Sequence, residues 1–204
     1  MNKLKTVGIV LAAGRSTRMG TKNKLLCPIN NLSIIEHSLD SFAKSNVAEI
    51  ILVLGFEADT IANMAFVKKL QDQNKLSIVL NKNYKNGMGT SIAAAVKHLS
   101  DDTDACIIGL GDMPFINSHT INMLISSAQE NSKNQIFRPQ FMGKKGHPIL
   151  WKQQFFQELA NLSHDRGGKD IIANNKELLF EVTVDDKAVL EDVDTPEKLD
   201  SFNK

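Results

Sequence analysis

The sequence predicts an α/β fold, a three-layer α/β/α sandwich around a mostly parallel sheet. Three observations predict it. Short apolar runs alternate with helix-period segments through residue 130, a glycine loop follows directly on the first run, and no repeat, low-complexity stretch or linker divides the 204 residues. Strand–helix alternation at this pitch is the pattern of βαβ units, which place helices over a parallel sheet.

The elements follow in order. Thr6–Leu11 is an apolar run of strand length. Ser33–Lys44 has the spacing of an amphipathic helix, with Ser33 as N-cap and Glu36 three residues on as its capping-box partner. Glu49–Leu54 is the second strand, closed by Gly55, and Asp59 caps a helix running through Leu70. Leu76–Leu80 is a strand, Thr90–Leu99 a helix, Ala105–Leu110 a strand and Ser118–Glu130 a helix. Beyond residue 131 the pattern loosens. Gln135–Pro139 and Gly146–Trp151 read as strands around a turn at 143–145, Gln153–Leu162 and Gly168–Asn174 as helices, and Leu178–Val184 as a late strand. Thr195–Phe202 is a last helix, capped by Thr195 with Pro196 at its first position. Residues 1–204 thus form one domain, with residues 1–115 as a ligand-binding half and 116–204 as the half that completes the site.

Bulk composition narrows the function. A net charge of +1 supplies no large positive field for nucleic acid. Cys27 and Cys106 lie far apart without a CxxC pair, so they offer neither a disulfide framework nor a zinc site, and a reducing cytoplasmic setting is expected. The N-terminal apolar stretch is too short for a membrane span and reads as a buried strand.

The chemistry begins in the loop after the first strand. Leu11, Ala12, Ala13 and Gly14 keep the backbone slim enough to approach a ligand, and glycine turns can aim N–H groups at an anion. Arg15, Arg18, Lys22 and Lys24 add four cationic groups within ten residues. A triphosphate needs that combination of backbone donors and cations. The spacing is neither GxGxxG nor GxxxxGK[ST], which weakens the dinucleotide and P-loop readings.

LAAGRSTRMG followed by NKLL resembles the N-terminal signature of nucleotidyltransferases acting on molybdopterin and on sugar or isoprenoid phosphates, and most nearly the molybdopterin nucleotidyltransferase-like NTP transferase family with its molybdenum cofactor cytidylyltransferases. Four further segments match in order: Asn83–Ser91, Gly111-Asp112-Met113-Pro114, Gly146-His147-Pro148 and Asp192–Glu197. The resemblance spans nearly the whole chain. It implies a Rossmann-like fold of the nucleotide-diphospho-sugar transferase type, with residues 1–115 binding nucleotide and 116–204 the acceptor. It also implies transfer of CMP from CTP to the phosphate of molybdopterin, and a recipient molybdoenzyme as a further partner.

Two carboxylate stations suit that chemistry. Asp112 follows a strand, where ligands of open α/β sheets sit. Asp192 and Asp194 precede the last helix, and residues i and i+2 on extended chain point the same way. Two carboxylates on one face are costly unless solvated or bound to a cation. One of them joins Asp112 on Mg²⁺, which takes carboxylate, phosphate and water oxygens. By resemblance the second metal-binding acid falls in this stretch, with Asp194 favoured over Asp192. The resemblance also turns Gly87 and Ser91 toward the nucleotide, Ser91 serving equally as a helix cap. His147 is a candidate substrate ligand or proton shuttle. The stretch Ser163–Lys169 resembles the family's GDxGAR loop but carries Gly168-Lys169 for Ala-Arg, and Lys169 can meet a phosphate only as a point charge.

The reaction these residues suggest is in-line attack of a substrate phosphate on the α-phosphorus, with Arg18 and Lys24 stabilising charge as pyrophosphate leaves. In the family an alanine at position 13 goes with cytidine and a glycine with guanine, and a methyl there would crowd a purine. The alternatives are a guanylyl- or other nucleotidyltransferase with another phosphorylated acceptor, and a cofactor chaperone without turnover. A nicotinamide-dependent oxidoreductase is disfavoured by the glycine spacing.

Overall fold

β1 (Thr6–Ala12) is buried at all seven positions and lies inside the sheet, between the strands it pairs with on either side. The computed structural model describes residues 4–15, 23–163, 165 and 167–202; Arg18 and Lys22 lie outside them. A 3₁₀ turn at Lys24–Leu26 leads to a small antiparallel ribbon, β2 (Pro28–Ile29) and β3 (Leu32–Ser33). α1 (Ile34–Ala43) starts in the expected capping box: Ser33 Oγ accepts from Glu36 N–H, and Glu36 accepts from Ser33 N–H at 2.9 Å.

β4 (Glu49–Leu54) pairs parallel with β1. The single helix expected from Asp59 to Leu70 is instead two, α2 (Ala58–Ala62) and α3 (Ala65–Asp72), broken at Asn63-Met64. Asp59 lies inside α2 rather than capping it, and the N-cap is Glu57 in a left-handed conformation. β5 (Leu76–Leu80) extends the parallel set. α4 (Met88–Val96) begins two residues before its expected start, at Gly87, which makes Ser91 an interior helical residue and not a cap. β6 (Ala105–Leu110) pairs parallel with β1 on the side opposite β4, and α5 (Ser118–Glu130) runs as expected.

The second half departs from a purely parallel plan. β7 (Ile136–Phe141) turns through Met142-Gly143, both with positive φ, into β8 (Lys144–Lys145), so the turn sits earlier than 143–145. β9 (Ile149–Lys152) is antiparallel to both β6 and β7. A 3₁₀ turn at Gln153–Phe155 precedes α6 (Phe156–Ala160), in place of one helix to Leu162. α7 (Lys169–Asn174), β10 (Leu179–Thr183) and α8 (Pro196–Phe202) complete the chain, with β10 parallel to β7. The mixed eight-stranded sheet of the described residues runs β10-β7-β9-β6-β1-β4-β5, with β8 on β7.

Side-chain alternation along the strands builds two cores. Val10, Ala12, Leu52 and Ile107 pack under α1, α3 and α5 on one face. Ile9, Leu11, Val53 and Ile108 pack under α4, α6 and α7 on the other. This is the three-layer arrangement expected. Gly8 and Gly109 leave room for the Phe42 ring, which a Cβ at either would meet at 2.7 Å. Emptying that slot by Phe42→Ala should cost about 3–5 kcal/mol.

Candidate active site

The chain leaves β1 for β4 on one side and returns to β6 on the other. Such a reversal of strand order opens a crevice at the carboxyl ends of the strands. Gly111 N–H donates to Leu11 O at 2.9 Å, which locks the turn after β6 against the glycine loop after β1. A Cβ at Gly111 would stand 3.0 Å from that same oxygen, so a side chain there would press the two loops apart.

Lys24 is delivered to this crevice by the 3₁₀ turn. Asn23 caps the turn by accepting from Leu25 N–H at 3.1 Å, and Leu25 is buried beneath it. The ammonium then lies 2.6 Å from Asp112 Oδ2 and 2.5 Å from Asp194 Oδ1. Val193 N–H donates to Asp112 O at 2.9 Å, which holds the Asp192–Asp194 segment beside the turn after β6. Burial alone would depress the Lys24 pKa, but the two carboxylates, Asp112 foremost, more than offset it and raise it above the ordinary value. Lys24 is therefore a fixed cation. Asp192 is not part of this triad: it accepts from Lys198 Nζ at 3.1 Å, farther toward the solvent. It is Asp194, and not Asp192, that shares the Lys24 ammonium with Asp112.

A cavity of about 710 Å³ surrounds the triad and brings together the described residues expected to meet nucleotide: Leu11, Ala12, Ala13, Gly14, Arg15, Lys24, Gly87, Ser91, Asp112, Asp192 and Asp194. Two of them are buried in its wall. The Ser91 hydroxyl is 2.9 Å from Asn81 Nδ2 and 5% of the residue is exposed, so Ser91 belongs to the wall. The Ala13 methyl, on a residue 4% exposed, points to the spot where Gly55 and Tyr84 meet, because a Cβ at Gly55 would fall 2.9 Å from it and 2.7 Å from the tyrosine ring. The Arg15 guanidinium stands 6.0 Å from the Phe56 ring centroid. Gly87 has φ of +110°, and a Cβ there would meet the Asp165 backbone at 2.7 Å. Asp165 also accepts from Met88 N–H at 3.3 Å, so it ties the start of α4 to the loop that carries Lys169.

A second cavity, about 860 Å³, adjoins the first and shares Leu11, Met88, Leu110, Asp165 and Asp192 with it. His147 and Lys169 line this one, not the nucleotide cavity. Burial pushes the His147 pKa below the ordinary imidazole value; Asp112 pulls it up, while Lys169 and Arg138 push it further down. Sequence reasoning missed Arg138, Lys145, Trp151 and Glu181 in this wall. The available signal was a charge at Arg138, on the same strand face as the buried Ile136.

The donor set suits a divalent cation. Asp112 Oδ1 is buried without a hydrogen-bond partner, and Asp112 and Asp194 together offer the carboxylates Mg²⁺ uses alongside phosphate and water oxygens. Among the described residues no cluster of three His, Cys, Asp or Glu side chains forms a self-sufficient metal cage. Cys27 and Cys106 are free and buried. No described helix is long and apolar enough to cross a membrane.

Comparison with known proteins agrees with this geometry. A family profile described as "MobA-like NTP transferase domain" matches residues 8–178. Among relatives matching nearly end to end, nicotine blue oxidoreductase of Paenarthrobacter nicotinovorans is 26% identical, over 94% of this chain and 93% of that protein. Molybdenum cofactor cytidylyltransferase of Escherichia coli K12 is 25% identical, over 93% and 91%. The crystal structure of Rv0371c from Mycobacterium tuberculosis H37Rv superposes with a TM-score of 0.83 at 26% identity, covering 98% of each chain. The fold is that of the nucleotide-diphospho-sugar transferases.

Proposed function

The chain belongs to the MobA-like NTP transferase family, and from that premise we propose that it transfers CMP from CTP to the phosphate of molybdopterin, releasing pyrophosphate and passing the product to a recipient molybdoenzyme. The observation that carries the reading is the Lys24 ammonium clamped between Asp112 and Asp194 at the mouth of the Leu11–Arg15 loop. The end-to-end similarity to a molybdenum cofactor cytidylyltransferase supports the choice of acceptor.

The chemistry needs little from the protein beyond placement. A phosphate monoester is largely ionised near neutral pH, its second pKa lying about 6, so the attacking oxygen needs no protein base. The loop from Leu11 to Arg15 borders the space for the triphosphate, where its backbone and Arg15 can meet phosphate oxygens. Lys24 holds positive charge where negative charge builds as pyrophosphate departs, and its paired carboxylates fix its direction before substrate arrives. Asp112 and Asp194 would hold Mg²⁺, which would supply charge neutralisation at the phosphates. Lys169 and the neutral His147 face the acceptor from the second cavity.

The test is pyrophosphate release from each of four nucleoside triphosphates, with molybdopterin and with sugar phosphates, with and without Mg²⁺. CTP with molybdopterin and Mg²⁺ should give the highest kcat/KM. A higher kcat/KM with GTP or with a sugar phosphate would replace the nucleotide or the acceptor in this reading. Saturable CTP binding with no pyrophosphate from any pair would make the protein a carrier.

A further inference from the structure

The second cavity holds two buried polar nitrogens without a hydrogen-bond partner among the described residues, Arg138 Nε and His147 Nδ1. Buried polar atoms are nearly always hydrogen-bonded, so an unpartnered pair in one cavity wall calls for a ligand. The two belong to a row that crosses the sheet. Asp112 follows β6, His147 precedes β9, Arg138 lies in β7 and Glu181 in β10, and these strands are consecutive neighbours. Arg138 is directly opposite Glu181 in the β7–β10 register, and its Nη2 donates to Glu181 Oε1 at 2.6 Å. Lys145 Nζ stands 4.0 Å from the same carboxylate oxygen.

That pair is a poor phosphate site. Glu181 already neutralises Arg138, and a carboxylate next to an incoming phosphate repels it. Together they present fixed donors on the guanidinium beside acceptors on the carboxylate. The same cavity is lined by the apolar side chains Trp151, Ile149, Leu179 and Ile172, with Lys145, Lys169 and Lys176 among them. Such a slot takes a planar ring by its faces, while the ion pair reads its edge. The ligand it matches is an uncharged heterocycle whose rim carries an amide-like N–H next to a carbonyl or ring-nitrogen acceptor. Neighbouring strands lie about 4.8 Å apart. Arg138 is two strands from β6, so the edge being read lies at least about 10 Å across the sheet from the Asp112 side. The acceptor must be long enough to span that offset, with its phosphate at one end and its ring at the other.

Resting on the reading under Proposed function, we infer that Arg138 and Glu181 are the specificity station for the acceptor's heterocyclic head, here the pterin ring, and that the head is read independently of the phosphate. Trp151 is the only tryptophan of the chain and stands in this wall, so its fluorescence reports on the slot. The experiment titrates 6-hydroxymethylpterin, a pterin without phosphate, into the full chain while following Trp151 emission. CTP affinity measured by calorimetry serves as the check on folding. Wild type should show saturable quenching. Arg138→Met and Glu181→Gln should each weaken the pterin at least about tenfold, with CTP affinity within about twofold of wild type, and should raise the acceptor KM far more than they lower kcat. Glu181→Gln keeps the shape of the side chain, so it still decides the matter if Arg138→Met fails to fold.

Absence of quenching in wild type, or equal quenching in both variants, would overturn the inference. Saturation by a phosphate-free hexose in place of the pterin would overturn it as well. Pyrophosphate release with molybdopterin separates the two levels. If release proceeds while the variants bind pterin normally, the functional reading stands and the station is wrong. If molybdopterin gives no release and the pterin does not bind, both have failed.

Discussion

The two adjoining cavities differ in how their charges are held. In the nucleotide cavity Lys24 is bonded to two carboxylates, and only Asp112 Oδ1 of that triad is buried without a hydrogen-bond partner. In the acceptor cavity Arg138 has one carboxylate partner, and both its Nε and His147 Nδ1 are unpartnered. The first arrangement would preorganise charge for any triphosphate, because phosphates offer every site the same oxygens. The second leaves donors that only a particular ligand edge can satisfy. On the proposed reading, transfer chemistry and substrate choice fall to the two halves of the site, one cavity each, which share Asp165 and Asp192.

The sharpest break in this comparison should come from the triad's acids. Asp112→Ala and Asp194→Ala should each lower kcat by more than about 10³, beyond the 10²–10³ typical of losing one preorganised donor, because each would also strip a carboxylate from the proposed cation site. Asp192→Ala, which removes a partner of Lys198 at the shared wall, should cost far less. Measuring all three at saturating Mg²⁺ decides it: near-normal activity of Asp194→Ala, or an Asp192→Ala enzyme that is the more damaged, would move the metal-binding role to the other acid. Lys24→Ala comes next. Its kcat should fall by about 10²–10³ with a smaller rise in KM, since the charge it meets is larger in the transition state than in the ground state. Steady-state kinetics showing an intact kcat would remove Lys24 from the chemistry.

These halves were unequally legible in the sequence. The triad's residues each flank a recognisable local signal: the Ala-Ala-Gly turn, the GDMP turn and the DVDTP helix start. Parallel βα order brings Lys24 and Asp112 to one edge, and the backbone bond from Val193 N–H to Asp112 O brings Asp194 to them. The acceptor wall depends on which strands become neighbours. Arg138 meets Glu181 because β10 returns to pair with β7, and no spacing within either strand announces that. The same holds for the antiparallel insertion of β9 between β6 and β7, the exception within a sheet that is mostly parallel as expected. The broken helix at Asn63-Met64 escaped notice because apolar periodicity survives on both sides of the break.

A smaller effect separates the halves by pH. His147 has its folded pKa depressed, first by burial. Its unfolded form therefore binds a proton more readily, and its contribution lowers stability as pH falls below the ordinary value of 6.5. Thermal unfolding from pH 8 to 5 should show Tm falling more steeply below that value in wild type than in His147→Gln. Each kcal/mol involved moves Tm by roughly 2–4 °C in a chain of this size. Parallel curves would mean that the imidazole is solvated in the free protein. Lys24 should contribute nothing in this window, since its raised pKa keeps it protonated and its pairing is lost only at alkaline pH.

The smallest expected effect tests where nucleotide choice resides. If the Ala13 methyl touched the base, Ala13→Gly would open space for a purine and change the CTP-to-GTP preference strongly. The methyl lies beside Gly55, close to where the Tyr84 ring also meets that glycine, and Tyr84 borders the same cavity as Ala13. Removing the methyl deletes one buried carbon, a loss of about 0.8 kcal/mol, and lets the ring settle. The preference should therefore relax only severalfold, because about 1.4 kcal/mol corresponds to a tenfold change. Tyr84→Ala, which removes the ring itself, should relax it more than Ala13→Gly does. Competition between CTP and GTP in both variants reads this directly. A larger change in Ala13→Gly than in Tyr84→Ala would restore direct contact between the methyl and the base, and would place nucleotide selection in the loop after β1 instead of in the tyrosine above it.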